Sequence, residues 1–149
     1  DLTPLQGMPM VVLDLHTSPA KSLAPLHGLK LRWLDISFAS ATNLSPLRGM
    51  PLEYLAAGDV KQLDITPLAG LPLRHLYLAD TPKLDLSPLA TCRELEYLTL
   101  PQGSTGMEVV RRLPKLRGIT YQHIRFTEST KGWLTPEEFW KAYDAEKKP

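Results

Sequence analysis

Cysteine is nearly absent: Cys92 is the only one in 149 residues, so no disulfide closes within the chain. That composition fits a reducing compartment and leans towards the cytoplasm. No apolar run reaches the roughly 18 residues that a membrane-crossing helix needs, and no leader pattern opens the sequence. Neither sign of charge dominates, since 17 Lys and Arg face 16 Asp and Glu. The balance of +1 argues against a surface built for nucleic acid. Catalytic wording is missing too: there is no glycine-rich phosphate loop and no H-R-D or D-F-G tripeptide. His16, His27, His75 and His123 are scattered, and one cysteine makes no zinc-type pair. The expectation is a chain that is not an enzyme, with no catalytic residue, metal or cofactor. What remains, 43% hydrophobic and 22% charged, is the composition of a folded domain with one core.

What is present repeats itself. "LAPLHGLKLRWL" begins at Leu23, "LSPLRGMPLEYL" at Leu44 and "ITPLAGLPLRHL" at Ile65. Leu2, Leu23, Leu44, Ile65, Leu86 and Met107 stand 21 residues apart. Leu5, Leu26, Leu47, Leu68, Leu89 and Val110 make a second column, and Met8, Leu29, Met50, Leu71, Cys92 and Leu113 a third. Three apolar columns in register over six copies define a repeat architecture. Cys92 stands where its counterparts are Leu or Met and reads as core, not as a reactive thiol.

Each copy has two parts. The first places Ser or Thr before Pro, as in Thr3-Pro4, Ser45-Pro46, Thr66-Pro67 and Ser87-Pro88, with Gly soon after. A hydroxyl at the cap, Pro at the first helical position and an early Gly predict one short 3-10 turn. The second part is Leu-x-x-Leu-x-Leu, as in Leu31, Leu34 and Ile36, whose alternation predicts a short strand with one buried face. One strand and one turn cannot bury their own apolar side, whereas stacked copies can.

These residues resemble the leucine-rich repeats, in the short bacterial form of the internalins, over about residues 1–124. The resemblance implies an α/β fold: a right-handed solenoid with a parallel inner sheet and short 3-10 turns outside. The wording "SPLRGMPLEYL" and "TPKLDLSPL" and the closing "EEFWKAYDAEKK" are also similar to repeat regions that follow Ser/Thr protein kinase domains in planctomycetes and their relatives. That similarity implies the C-terminal part of a larger bacterial signalling protein. Two departures bear on the fold. The Asn expected after each strand is replaced by Ser18, Ala39, Val60, Thr81, Gly103 and Ile124, so less regular turns are expected, with only Ser18 and Thr81 able to imitate its bond. Ala57 replaces a strand Leu and leaves space for Leu63 or a neighbouring coil to fill.

The two ends read differently. Residues 1–125 are expected to hold six repeats, the first truncated, and residues 126–149 a C-terminal cap with one helix. Thr135-Pro136-Glu137-Glu138 is a capping box that predicts a helix from Pro136 to about Glu146. Phe139, Trp140 and Tyr143 crowd one side of it, as a lid over the last coil or as a docking face. Thr105 and Glu108 predict a longer helix in the sixth copy. At the other end Leu2, Leu5 and Met8 are expected to face solvent unless an upstream domain, further repeats or another chain covers them.

The sheet's inner face carries the functional signal. Trp33, Tyr54, His75 and Tyr97 follow one another in a single column, with Arg32, Glu53, Arg74, Glu96 and Arg117 alternating in charge beside them. The charges read as a ladder that relieves repulsion. The rings, with Asp35, Phe38, Asp59, Tyr77 and Asp80, make a mixed aromatic and acidic patch suited to a protein or peptide and not to nucleic acid. Asp14 and Asp35 share one position on neighbouring strands, either as a cation site or as solvated side chains. The reading is a non-catalytic recognition module that binds a protein or peptide on its concave face, with no membrane contact in this segment. The alternative is a structural solenoid segment whose first coil stacks on further repeats or another chain.

Overall fold

The computed structural model describes residues 1–122 and 132–147. His123 and Ile124, and the boundary between residues 125 and 126, lie outside the described residues. Six strands, β1 (Val12–Asp14), β2 (Trp33–Asp35), β3 (Tyr54–Ala56), β4 (His75–Tyr77), β5 (Tyr97–Thr99) and β6 (Gly118–Thr120), form one parallel sheet in chain order. Each pairs in register with the next, so Leu13, Leu34, Leu55, Leu76, Leu98 and Ile119 stack in one row. On the outer side stand 3-10 turns at Thr3–Leu5, Ala24–Leu26, Ser45–Leu47, Thr66–Leu68 and Ser87–Thr91. The sixth copy carries a short α-helix instead, α1 (Met107–Arg111).

Between sheet and turns lies one continuous core. Leu26, Leu47, Leu68, Leu89 and Val110 are sealed from solvent, as are Leu34, Leu55, Leu98 and Ile119. Cys92 is buried among them, and its thiol donates to the Leu68 carbonyl at 3.3 Å. Burial pushes that thiol's pKa up, the opposite of what a nucleophile needs. The space beside Ala57 is closed, with Ala57, Val60 and Leu63 all buried in the same cluster.

The caps of the outer turns differ from the sequence expectation. The Ser or Thr before each proline is the first residue of the turn, and its hydroxyl caps nothing. Its amide is instead held from two residues earlier. Asp1, Asn43, Asp64 and Asp85 accept from Thr3, Ser45, Thr66 and Ser87 at 2.9 Å, and the Ser22 hydroxyl accepts from Ala24 at 3.2 Å. These acceptors form a fourth column, again 21 residues apart, built from residues whose short oxygen reaches their own backbone. The hydrogen bonds to Thr66 and Ser87 hold the Asp64 and Asp85 carboxyls below their usual range.

Turns after the strands are more regular than expected. Thr17, Phe38, Asp59 and Asp80 all adopt the left-handed conformation, with φ between 53° and 62°. The amides of Thr17, Phe38 and Asp59 donate to carbonyls of the next coil, which ties these turns together without an Asn. Thr81 makes the expected substitute bond, its hydroxyl donating to the Leu78 carbonyl at 2.8 Å. Ser18 does not, accepting from Ala20 instead.

At the C-terminal end α2 (Pro136–Glu146) begins with the complete Thr135/Glu138 capping box. Leu134 pairs with Ile119 at the free edge of β6, which fixes the helix against the last coil. Phe139 is the buried anchor, packed on Tyr121 at 5.0 Å, while Trp140 and Tyr143 stay half-buried. Burial pushes the Tyr121 phenol up to about 12. At the other end Leu2 is buried, contrary to expectation, because it packs into the shared core. Met8, Val11 and Val12 are the apolar side chains left open there.

Candidate functional site

The inner column places one ring on each of four neighbouring strands, because β2 to β5 pair Trp33 with Tyr54, Tyr54 with His75 and His75 with Tyr97. Trp33 and Tyr54 stack with centroids 4.9 Å apart and planes 7° from parallel. His75 and Tyr97 stack at 5.2 Å and 6°. Between the pairs, Tyr54 and His75 meet at 6.2 Å and 41°, a looser joint. All four rings are half-buried, so stacking removes much of the cost of leaving aromatics on an open sheet.

A fifth ring completes the row and was missed in the sequence. Trp133 packs edge-on against Tyr97 at 5.2 Å. Gly118 holds the sixth place in the column, and a Cβ there would stand 2.6 Å from the Tyr97 ring and 3.1 Å from the Trp133 ring. The missing side chain is therefore filled from the cap. A lone Gly ending an aromatic column was the only sequence signal for it.

Alongside run the charges. Arg32 pairs with Glu53, Arg74 with Glu96 at 2.6 Å, and Arg117 with Glu96 at 3.7 Å. The Arg74 hydrogen bond holds the Glu96 carboxyl below its usual range. Desolvation lowers the His75 pKa, with Glu96 raising it and Arg74 lowering it more weakly, so His75 presents a neutral ring near pH 7.

The remaining expected patch residues divide between the last strand position, Asp35 and Tyr77, and the turns that follow it. Tyr77 is buried and lies over Ala56, Gly58 and Ala79, with Tyr54 packed on that small cluster. Asp35 is buried too, accepting the Ser37 amide at 2.7 Å. Asp14 accepts the His16 amide in the same way, so each carboxylate closes its own turn. Among the described residues no group of three or more His, Cys, Asp and Glu converges as metal ligands. Phe38, Asp59 and Asp80 occupy the left-handed turns at the strand ends, where Phe38 and Asp80 are exposed and Asp59 is half-buried.

A parallel sheet of three-residue strands, one per coil, with 3-10 turns behind and leucines between, defines the class. The chain folds as a leucine-rich-repeat solenoid. Its structure is similar to internalin C2 of Listeria monocytogenes, with a TM-score of 0.71 and 30% sequence identity over 80% of this chain. Internalin F of the same organism matches with a TM-score of 0.59 and 23% identity, again over 80% of this chain. The chain spans 65% of the length of internalin C2 and 44% of internalin F. No protein-family model matches the sequence, and neither does any curated protein. No helix among the described residues is long and apolar enough to cross a membrane.

Proposed function

We propose that the chain is a non-catalytic protein-recognition module whose partner lies across the inner face of the sheet. The observation that carries this is the row of half-buried rings from Trp33 through Tyr54, His75 and Tyr97 to Trp133, stacked across neighbouring strands. From Trp33 to Tyr97 the row runs about 15 Å at the usual strand spacing, which suits an extended peptide segment. Half-buried rings on rigid strands are already ordered, so binding them costs little conformational entropy. Exposed Asp80 and half-buried Asp59 at the strand ends favour a basic or neutral ligand. By its turn wording and closing segment, the module would be the C-terminal part of a bacterial signalling protein, behind a Ser/Thr kinase domain.

The test is capture from the native organism with wild type and with Trp33→Ala/Tyr54→Ala. Truncated aromatic anchors often cost 2 kcal/mol or more in binding, so the pair should abolish capture. Because Tyr54 also packs on the Tyr77 cluster, the melting temperature is measured beside it, and a modest drop from the lost ring pair, about 0.5–1.5 kcal/mol, is expected. Capture that survives the double change, yet is lost on Met8→Asp, assigns the interaction to the open first coil. The module would then be a stacking segment of a longer solenoid.

A further inference from the structure

The near-zero net charge conceals a separation. Segments leading from the outer turns back to the sheet carry eight Lys and Arg against three Glu. Segments leaving the sheet are nearly balanced, with three Lys and four Asp. The two kinds of segment run along opposite edges of the solenoid, so one edge is basic and the other close to neutral. The basic edge is densest in coils five and six. There Arg111 is held by Asp144 at 2.6 Å and lies over the Trp140 ring, and Lys115 is held by Glu94 at 2.6 Å. Arg117 is drawn to Glu96. Among the described residues Arg93 and Arg112 of this group make no ion pair, and both are exposed.

These two arginines border an open cleft of about 400 Å³ between the last two coils, walled by Ala90, Val109, Leu113 and Pro114. The repeat itself does not call for them. The place of Arg112 is glycine in the first four coils, at Gly7, Gly28, Gly49 and Gly70, each left-handed to end a three-residue turn. Arg93 stands where coils one, three and four have Pro9, Pro51 and Pro72. Both appear where the outer element lengthens to five residues and the strand begins one position later in the repeat. The cleft thus exists because the last two coils depart from the template, and its charged rim is free of the fold's own pairing.

We propose that this cleft docks an acidic protein segment, with one apolar side chain seated against Val109 and Leu113 and flanking carboxylates on Arg93 and Arg112. Two guanidiniums on an apolar floor recognise that combination, since each fork bonds a carboxylate in two places. A nucleic acid fits less well: the edge has carboxylates interleaved among its cations, and the cleft carries no aromatic ring to stack a base.

The test is titration of the labelled chain with a synthetic peptide of glutamates around one leucine, followed by backbone and arginine side-chain NMR. Shifts should centre on Arg93, Arg112, Val109 and Leu113 and weaken as salt rises. Arg93→Ala/Arg112→Ala should weaken binding at least about tenfold with an unchanged melting temperature, and lysine at both positions should restore part of it. A glutamine version of the peptide that binds equally well overturns the proposal, as do shifts on the inner sheet that ignore the arginine changes. An oligothymidylate that binds the same two arginines more tightly than the peptide also overturns it.

Discussion

Leu13 and Ile119 hold the same place in the first and last strands, yet Ile119 is sealed from solvent and Leu13 is only half-buried. The two coils have the same design and differ in their neighbours. Ile119 has Leu98 on one side and, on the other, the Leu134 pairing that seats α2. Leu13 has only Leu34, and Met8, Val11 and Val12 around it are exposed. A repeat of this size is stabilised mostly by the coils on either side, so burial at an end is decided by what covers it.

The sharpest way to break the comparison is to unseat the cap. Phe139→Ala removes the buried ring of α2 and should cost about 3–5 kcal/mol in denaturant unfolding, more than the same change at half-buried Trp140. A loss below about 1 kcal/mol would mean that α2 is an appendage and that coil six is stable without it. Next in size is the difference within the leucine row. Leu98→Ala should cost about 2–5 kcal/mol and Leu13→Ala clearly less, with amide exchange fastest in the first coil and slowest from Leu55 to Leu98. Equal costs, or uniform protection in a dilute monomer, would show that the first coil is as well packed as the rest.

The smallest effect is acid sensitivity, and it sharpens the contrast from the other side. The Thr135 backbone bond holds the Glu138 carboxyl low, as the Arg74 and Ser87 bonds hold those of Glu96 and Asp85. Groups held below their unfolded value, 4.5 for Glu and 3.8 for Asp, contribute stability that is present above that value and is lost as pH falls through the folded one. Amides at the start of α2 should therefore lose protection between neutral pH and about pH 3, before those of Leu55, and Glu138→Gln should remove that pH dependence. A helix start equally protected at both pH values would count against the capping box as its anchor.

Much of this was legible because it repeats. Columns at a 21-residue spacing fix which side chains face inward whatever the loops between them do, so the sheet, the core and the place of Cys92 followed from spacing alone. The capping box of α2 was equally plain, being a local bond pattern between Thr135 and Glu138. The turn caps were misassigned because Ser or Thr before Pro imitates a helix cap, while the acceptors in use, Asp1, Ser22, Asn43, Asp64 and Asp85, are a mixed column with no single signature.

By itself the sequence determined the solenoid, its four strand-borne rings in a row and its final helix, since each depends on local chemistry or exact spacing. Only the tertiary structure decided that Trp133 fills the place vacated at Gly118, that Tyr77 and Asp35 are covered, and that Phe139 anchors the cap. It also decided that Arg93 and Arg112 meet at one cleft while their neighbours are paired. The reason is physical: periodicity says which face a side chain takes, but what lies on top of it is set by contacts between segments far apart in the chain, and no spacing rule reaches across them.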